Sequence, residues 1–417
     1  MQNKCLQLSH KDRKVKGTVH LTGSKSECNR ALIIQALSKG LVHIENVSNA
    51  ADTVTLMNAL EAAGHAGDKR VTIDIGPAGT AMRFLTSYLN LVPGSFLLTG
   101  TQRMQERPIG LLTDALRKLG AQISFSKKHG FPPLEIEGKM TQVTNEIQIN
   151  GNISSQYISS LLLVAPILPK GLILKIKGEL ASKPYVSMTL DMMKRAGIHY
   201  EWEGSTIRID PQEYQKIALK IEPDWSAASY WYSIVALSES GEIFLKGLQK
   251  NSIQGDSEIA DIMAHFGVKS TFQSDGVLLQ KTDESSGKTH FDFKKCPDLA
   301  QTIVVLATAL KRDLSFSGLE TLKIKETDRV AALQNEIGKY GAQLIEEGET
   351  YYLKTENVLF RKELRFSTYE DHRMAMAFAP LALMGVLIQI EEPDVVEKSY
   401  PDFWKDLVST GFRVNNC

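Results

Sequence analysis

The sequence predicts an α/β protein built as two domains, and three observations carry the prediction. Six segments share one pattern, an apolar-periodic helix closed by a glycine and followed by an alternating strand. The closing glycines are Gly64, Gly120, Gly197, Gly267, Gly341 and Gly411. They recur on the order of 70 residues apart, too far for a small solenoid repeat and right for a whole β-α-β-α-β-β unit. Most segments then close with a second short strand after a polar turn. At 417 residues the chain is also long for a single core.

Taken in order, the elements follow from local chemistry. Lys4 to Leu8 is strand-like and has no sequence neighbour to pair with. Val71–Ile75 leads into a helix through Leu89. Leu111, Leu112, Ala115, Leu116 and Leu119 show the three- and four-residue spacing of an amphipathic helix, and Gly120 tolerates the positive φ that stops it. Strand pairs are expected at Ile123–Ser126 with Leu134–Glu137, His199–Glu201 with Thr206–Ile209, and Gln343–Ile345 with Tyr351–Lys354. The last segment runs out at Arg413 to Cys417 before such a partner appears, and Lys4 to Leu8 fits the gap. The first and last segments then share one discontinuous domain, 1–22 plus 225–417, and 23–224 forms the other, with three units in each. Met374 to Ile388 is the most apolar run; Pro380 and Gly385 interrupt it, so it reads as a buried helix and a strand rather than a membrane span.

Composition narrows the function classes. The chain is 43% hydrophobic and 23% charged, with 48 basic and 48 acidic residues, so no global field recruits nucleic acid or an anionic membrane. Any basic site is local. The four cysteines are scattered, without a Cys-x-x-Cys or a pairing pattern, which fits a reducing, cytoplasmic setting and argues against a metal cage.

Chemistry concentrates at the helix starts. Lys323 to Arg329 reads Lys-Ile-Lys-Glu-Thr-Asp-Arg at the entry to a helix expected over Val330 to Tyr340. Lys325 and Arg329, four apart, are expected to share a helical face with Glu326 held in their field. Gly23 precedes Ser24, Lys25 and Ser26, whose free N–H groups suit an anion, and Ser26 and Arg30 lie four apart. The Walker spacing is absent. Gly76 to Arg83 places Gly79 and Thr80 at a strand-to-helix turn; Arg103 and Arg107 precede another helix. Ser154, Ser155 and Gln156 open an apolar helix, where the hydroxyls either cap it or take a ligand phosphate. Ser182 and Tyr185 form a fifth start, Asp298 follows Pro297 before an apolar helix, and His372–Arg373 leads into another without a packing reason. Lys398 completes the set. Together these are many cations against few acids, a site for ligands with several negative charges, with Asp298 and Glu326 as acid/base groups.

At this point the chain resembles the 5-enolpyruvylshikimate-3-phosphate synthase family over essentially its whole length. The resemblance is carried by Gly-Ser-Lys-Ser-x-x-Asn-Arg at 23–30, Ala-Gly-Thr-Ala-Met-Arg at 78–83 and Arg-Met-x-Glu-Arg-Pro-Ile-Gly at 103–110. Ser-Ser-Gln at 154–156, Ser-Lys-Pro-Tyr at 182–185, Lys-Glu-Thr-Asp-Arg at 325–329 and Asp-His-Arg-Met-Ala-Met at 371–376 complete it. It implies an inside-out α/β barrel of two domains with the active site in the cleft, and transfer of the enolpyruvyl group of phosphoenolpyruvate to the 5-hydroxyl of shikimate 3-phosphate. It implies that Ser154, Ser155, Ser182 and Tyr185 hold the shikimate phosphate, that Ser26, Arg30, Asp298, Thr321 and Lys325 hold the ring, and that Gln156 contacts both substrates. Lys25, Gly79 and Arg107 would take the phosphate of phosphoenolpyruvate, and Arg329, Arg373 and Lys398 its carboxylate. Asp298, Glu326, Lys25 and His372 would act in catalysis, without metal or organic cofactor, in a monomer.

Three residues depart from the family's common pattern. Pro77 stands for a common Asn, Phe84 for a common Pro and Thr321 for a common Asn. Gly79, which the family uses where glyphosate would compete, is retained. The sister transferase acting on UDP-N-acetylglucosamine typically carries a reactive Cys in the loop equivalent to Thr101–Gly110, and this chain has none there. A non-catalytic anion-binding protein on the same scaffold would lose the Asp298/Glu326 pair, and both acids are present.

Overall fold

The fold was obtained as a computed structural model, which describes residues 4–67, 69–151, 154–180 and 182–417. Ile153, at the head of the Ser154–Gln156 motif, lies outside the described residues. The chain divides into two compact domains: residues up to Thr22 with Glu222–Cys417, and Gly23–Ile221. The second crossing falls between Ile221 and Glu222, a little before the expected residue 225.

The discontinuous domain contains three four-stranded sheets among the described residues. One of them shows the repeat without interruption: strand His290–Asp292, helix Ala300–Ala309, strand Leu314–Ser317, helix Arg329–Gly338, and the hairpin Gln343–Glu347 and Thr350–Lys354. The first two strands are parallel and the hairpin closes antiparallel. In the second sheet Lys14–Val19 supplies the first strand, parallel to Ser240–Lys246. In the third, Cys5–His10 runs antiparallel between Leu387–Glu391 and Phe412–Asn416. The N-terminal strand thus completes the last repeat, which has Glu363–Phe366, His372–Phe378 and Phe403–Ser409 as its other elements. Each helix buries an apolar face; Trp225–Leu237, with Trp225, Trp231 and Tyr232 at 0% exposure, lies at the centre of this core.

The continuous domain contains two complete four-stranded sheets and one two-stranded sheet among the described residues. The small sheet corrects the six-fold reading. Helix Ala51–Gly64 is not followed by a hairpin of its own, and the next strand, Val71–Asp74, belongs to the next sheet. Val42–Glu45 pairs instead with Ile217–Lys220 in parallel. The glycines record the difference. Gly120, Gly197, Gly267, Gly341 and Gly411 all take positive φ, whereas Gly64 stays inside its helix. The tight helix-to-strand reversal that demands a left-handed residue is missing where the hairpin is missing.

The cysteine reading is also corrected. Cys5 and Cys417 form a disulfide across a sequence separation of 412 residues, with their Cα atoms 5.4 Å apart. No spacing rule reaches that far. The antiparallel register of the first and last strands puts them opposite one another, with the Cys417 N–H donating to the Cys5 carbonyl. Cys28 and Cys296 are buried thiols. Among the described residues no helix is long and apolar enough to cross a membrane, and no cluster of His, Cys, Asp and Glu is arranged to hold a metal.

Candidate active site

In the continuous domain the helix starts hold their cations mainly with neutral oxygens. Helix Lys25–Leu37 begins after Ser24, and Arg30 points back along its first turn, donating to the Ser26 carbonyl at 2.8 Å. The same guanidinium donates to Thr189 Oγ1 at 2.7 Å, to Ser159 Oγ at 3.3 Å and to the Tyr185 carbonyl at 3.2 Å. Burial lowers its pKa to about 10, partly offset by Tyr185 and Glu27, so it stays charged. Ser182 precedes helix Lys183–Arg195 with φ of 53°, a left-handed position that turns the chain into the helix. Lys25 has a carboxylate partner, with Nζ 3.1 Å from Asp52 Oδ2. Asp52 is 3% exposed and sits in the first turn of its own helix.

The strand-to-helix turn before Gly79–Tyr88 shows why a glycine is needed. A Cβ on Gly79 would stand 2.6 Å from Arg107 Nη1, so only glycine lets that guanidinium lie against the turn. Arg107 is 9% exposed. Arg83, buried behind it, donates to the carbonyls of Gly79 and Pro108, each at 3.2 Å. Arg103 pairs with Glu106 on an exposed helical turn. Ser154 caps helix Ser155–Val164 by accepting from the Gln156 N–H, and Gln156 Nε2 donates to Thr80 Oγ1 at 3.1 Å. Ser154 is exposed, and Ser155, Gln156, Ser182 and Tyr185 are half-buried. Phe84, fully buried, lies 5.5 Å from the Arg30 guanidinium along its ring face, a cation–π contact that the residue type at this position creates.

The discontinuous domain holds its cations with carboxylates. Arg329, 2% exposed, donates through Nε to Asp371 Oδ2 at 2.7 Å, through Nη1 to Asp298 Oδ1 at 3.0 Å and through Nη2 to Glu326 Oε2 at 3.0 Å. Asp298 also faces Arg373 Nη2 at 3.0 Å and Lys325 Nζ at 3.8 Å, and Glu326 faces Lys398 Nζ at 3.1 Å. Four cations and three carboxylates therefore interlock. Asp298 is not the helix cap its position after Pro297 allowed; no side-chain capping bond forms there. Nor do Lys325 and Arg329 share a helical face. The helix starts at Arg329, and Lys325 is extended backbone at the end of a short 3₁₀ turn, so the two converge on Asp298 from loop and helix.

The charges set the protonation states. Burial pushes Asp298 up, but Arg373, Lys325 and Arg329 outweigh it and hold the carboxyl well below the usual range. Burial lowers the Lys325 ammonium, with Arg329 and Arg373 adding to the effect and Asp298 and Glu326 opposing it. Asp371 serves twice, since its Oδ1 also caps helix His372–Phe378 by accepting from the Arg373 N–H at 2.8 Å. His372 is 1% exposed, with Nδ1 3.7 Å from Asp371 Oδ1. Thr321 is half-buried, and its Oγ1 has no hydrogen-bond partner among the described residues. Asp52 escaped the sequence reading, and Asp371 was noticed only as part of a motif. A carboxylate at a helix start looks like ordinary capping or dipole complementation, and nothing local names the distant cation it holds.

This arrangement is chemically specific. Cations held by neutral oxygens present nearly all their charge to an anion, and cations interlocked with acids can exchange a carboxylate partner for a ligand carboxylate. Comparisons with known proteins give the family. The family model described as EPSP synthase (3-phosphoshikimate 1-carboxyvinyltransferase) matches residues 10–407. The chain is 47% identical to the 3-phosphoshikimate 1-carboxyvinyltransferase of Bacteroides fragilis (strain YCH46), covering 96% of each chain. It is 37% identical to the enzyme of that name from Sulfurovum sp. (strain NBC37-1), over 95% of this chain and 97% of that one. Among solved structures, the EPSP synthase of Acinetobacter baumannii superposes with a TM-score of 0.79 at 19% identity, covering 99% and 100% of the two chains. The enolpyruvyl transferase NikO from Streptomyces tendae does so with 0.73 at 16%, covering 100% and 99%, which shows a shared fold. The chain belongs to the EPSP synthase (3-phosphoshikimate 1-carboxyvinyltransferase) family.

Proposed function

We propose that the protein transfers the enolpyruvyl group of phosphoenolpyruvate to the 5-hydroxyl of shikimate 3-phosphate, releasing phosphate. The observation that carries the residue-level reading is the interlocked set of Arg329, Arg373, Lys325 and Lys398 with Asp298 and Glu326. It supplies what the two proton transfers and one carboxylate require.

In this reading Arg329, Arg373 and Lys398 take the carboxylate of phosphoenolpyruvate. Each is buried and already paired with an acid, so the incoming carboxylate exchanges one anion for another instead of stripping a cation of water. Lys25, Gly79 and Arg107 take its phosphate, with Asp52 aiming the lysine. Ser154, Ser155, Ser182 and Tyr185 hold the phosphate of shikimate 3-phosphate, and Ser26, Arg30, Thr321 and Lys325 its ring. Gln156, on Thr80, contacts both substrates.

Asp298 is ionised, and among three cations it is a weak base. Transfer of Arg329 and Arg373 to the substrate carboxylate removes part of that stabilisation and raises its basicity when the 5-hydroxyl needs a proton acceptor. Glu326, held by Arg329 and Lys398, is the proton-transfer group for C3 of phosphoenolpyruvate. The tetrahedral adduct then returns a C3 proton to Glu326 and expels phosphate, which carries away the proton of the 5-hydroxyl, with Lys25 and His372 assigned to that half of the reaction.

The test is phosphate release from phosphoenolpyruvate with shikimate 3-phosphate and UDP-N-acetylglucosamine offered in parallel. Release only with shikimate 3-phosphate is expected. Release only with the nucleotide sugar would overturn the acceptor, and release with neither would overturn the activity.

A further inference from the structure

A second buried carboxyl stands behind Arg373, on a side the reaction scheme leaves unused. Asp256 is 4% exposed and lies in the 3₁₀ turn Gly255–Glu258. Its Oδ2 is hydrogen-bonded to Ser226 Oγ, and its Oδ1 has no partner among the described residues. Ser226 Oγ in turn lies 3.4 Å from Arg373 Nη2.

The direction of this chain follows from proton inventory. A guanidinium has only donors, and a hydroxyl has one hydrogen and two lone pairs. Ser226 accepts from Arg373, which leaves its single hydrogen for Asp256 Oδ2, an acceptor as a carboxylate oxygen or as the carbonyl oxygen of the neutral carboxyl. The chain runs from the Arg373 N–H through the Ser226 O–H to the Asp256 carboxyl. Both intermediates are fixed from behind. Ser226 lies in the first turn of helix Trp225–Leu237, its N–H donating to the capping Asp224 Oδ1 at 2.7 Å. The Asp256 turn is tied to the same helix start by Gln254, whose Oε1 accepts from the Trp225 N–H at 3.0 Å and whose Nε2 donates to the Pro223 carbonyl at 2.9 Å. On the other guanidinium nitrogen, Nη1 lies 3.4 Å from Tyr230 Oη and 3.3 Å from the Asp298 carbonyl.

Resting on the assignment of Arg373 to the phosphoenolpyruvate carboxylate, we propose that Asp256 and Ser226 are positioning residues that keep the Arg373 guanidinium aimed when it exchanges Asp298 for the substrate. The need for them is physical. During that exchange Arg373 loses its 3.0 Å contact to Asp298, and a long side chain without a second anchor regains rotamer freedom. Asp256 carries charge information as well. Burial, then the charge of Asp298, pushes its carboxyl up to about 7, with Arg373 and the Ser226 hydrogen bond opposing and Asp224 adding. The Cys296 thiol also faces it, and burial holds that thiol neutral. A neutral or half-ionised Asp256 can anchor Ser226 without competing with the substrate for Arg373.

The test is steady-state kinetics of Ser226→Ala, Asp256→Ala and Asp256→Asn, each checked for folding by circular dichroism. Ser226→Ala and Asp256→Ala are expected to raise KM for phosphoenolpyruvate about tenfold, with KM for shikimate 3-phosphate changed by less than about twofold and kcat by less than about threefold. Asp256→Asn keeps an acceptor for the hydroxyl and is expected to restore KM to within about twofold of the parent. A rise in both KM values together, or no rise in either, overturns the proposal. If Asp256→Ala does not fold, Ser226→Ala decides alone, since it removes only the hydroxyl oxygen from the relay and leaves the carboxyl in place. Arg373→Ala separates the two assignments. If it leaves KM for phosphoenolpyruvate unchanged, the role of Arg373 fails and the relay with it. If it raises KM while Ser226→Ala does not, Arg373 stands and the relay alone fails.

Discussion

The two domains treat their buried arginines in opposite ways. In Gly23–Ile221, Arg30 donates to two hydroxyls and two carbonyls, and Arg83 to two carbonyls and the Met104 sulfur. In Glu222–Cys417, Arg329 is surrounded by three carboxylates. Neutral acceptors fix a guanidinium's direction and leave its charge for a ligand, the disposition suited to holding an anionic substrate in place. Carboxylate partners neutralise the charge and make each acid's basicity depend on where the cations go, the disposition suited to moving protons. The difference teaches that counting cations in a sequence finds an anion site, while the identity of their partners divides binding from chemistry.

The largest break of that comparison comes from the acid-locked side. Glu326→Gln and Asp298→Asn should each lower kcat by about 10²–10⁴-fold, the usual range for removing an acid/base group. Steady-state phosphate release measures this, and near-parent turnover in either would mean that the protons move through other groups. Next in size is Asp371→Ala. It leaves the 2%-exposed Arg329 without its closest carboxylate and removes a helix cap, so a loss of about 3–5 kcal/mol in unfolding free energy is expected. Urea denaturation reads it directly. On the neutral-acceptor side, Gly79→Ala should displace Arg107, because the new Cβ would meet its guanidinium at 2.6 Å. KM for phosphoenolpyruvate should rise about tenfold with KM for shikimate 3-phosphate little changed. The smallest effect is one of pH. With its carboxyl raised to about 7, Asp256 contributes stability that is present below about pH 4 and lost as pH rises through 7, because between those values only the folded chain keeps the proton. Asp256→Asn lacks that slope, so its melting temperature relative to the parent should be higher at pH 8 than at pH 5.

How legible this was depends on distance along the chain. The helix starts at Lys25, Gly79, Ser155 and His372 are written in local residues, and the structure puts helices there. The N-terminal strand's place in the last repeat could be read because the final segment visibly lacked a partner. The partners of the cations could not be read that way. Asp52 lies 27 residues from Lys25, and Asp371 lies 42 from Arg329. Nothing near an acid says which distant cation folding brings to it. Lys325 was misplaced for a related reason. Four-residue spacing implies a shared face only inside a helix, and this helix begins at Arg329 with Asp328 as its cap. Gly64 failed because a glycine after an apolar run marks a helix end only where the chain must reverse tightly.

The division between binding and chemistry is tested most directly by calorimetric titration of shikimate 3-phosphate into Glu326→Gln. The account predicts an affinity within about twofold of the parent in a variant whose turnover has fallen at least about a hundredfold. Loss of affinity in step with loss of turnover would contradict it, since Glu326 would then contribute to binding as well as to proton transfer.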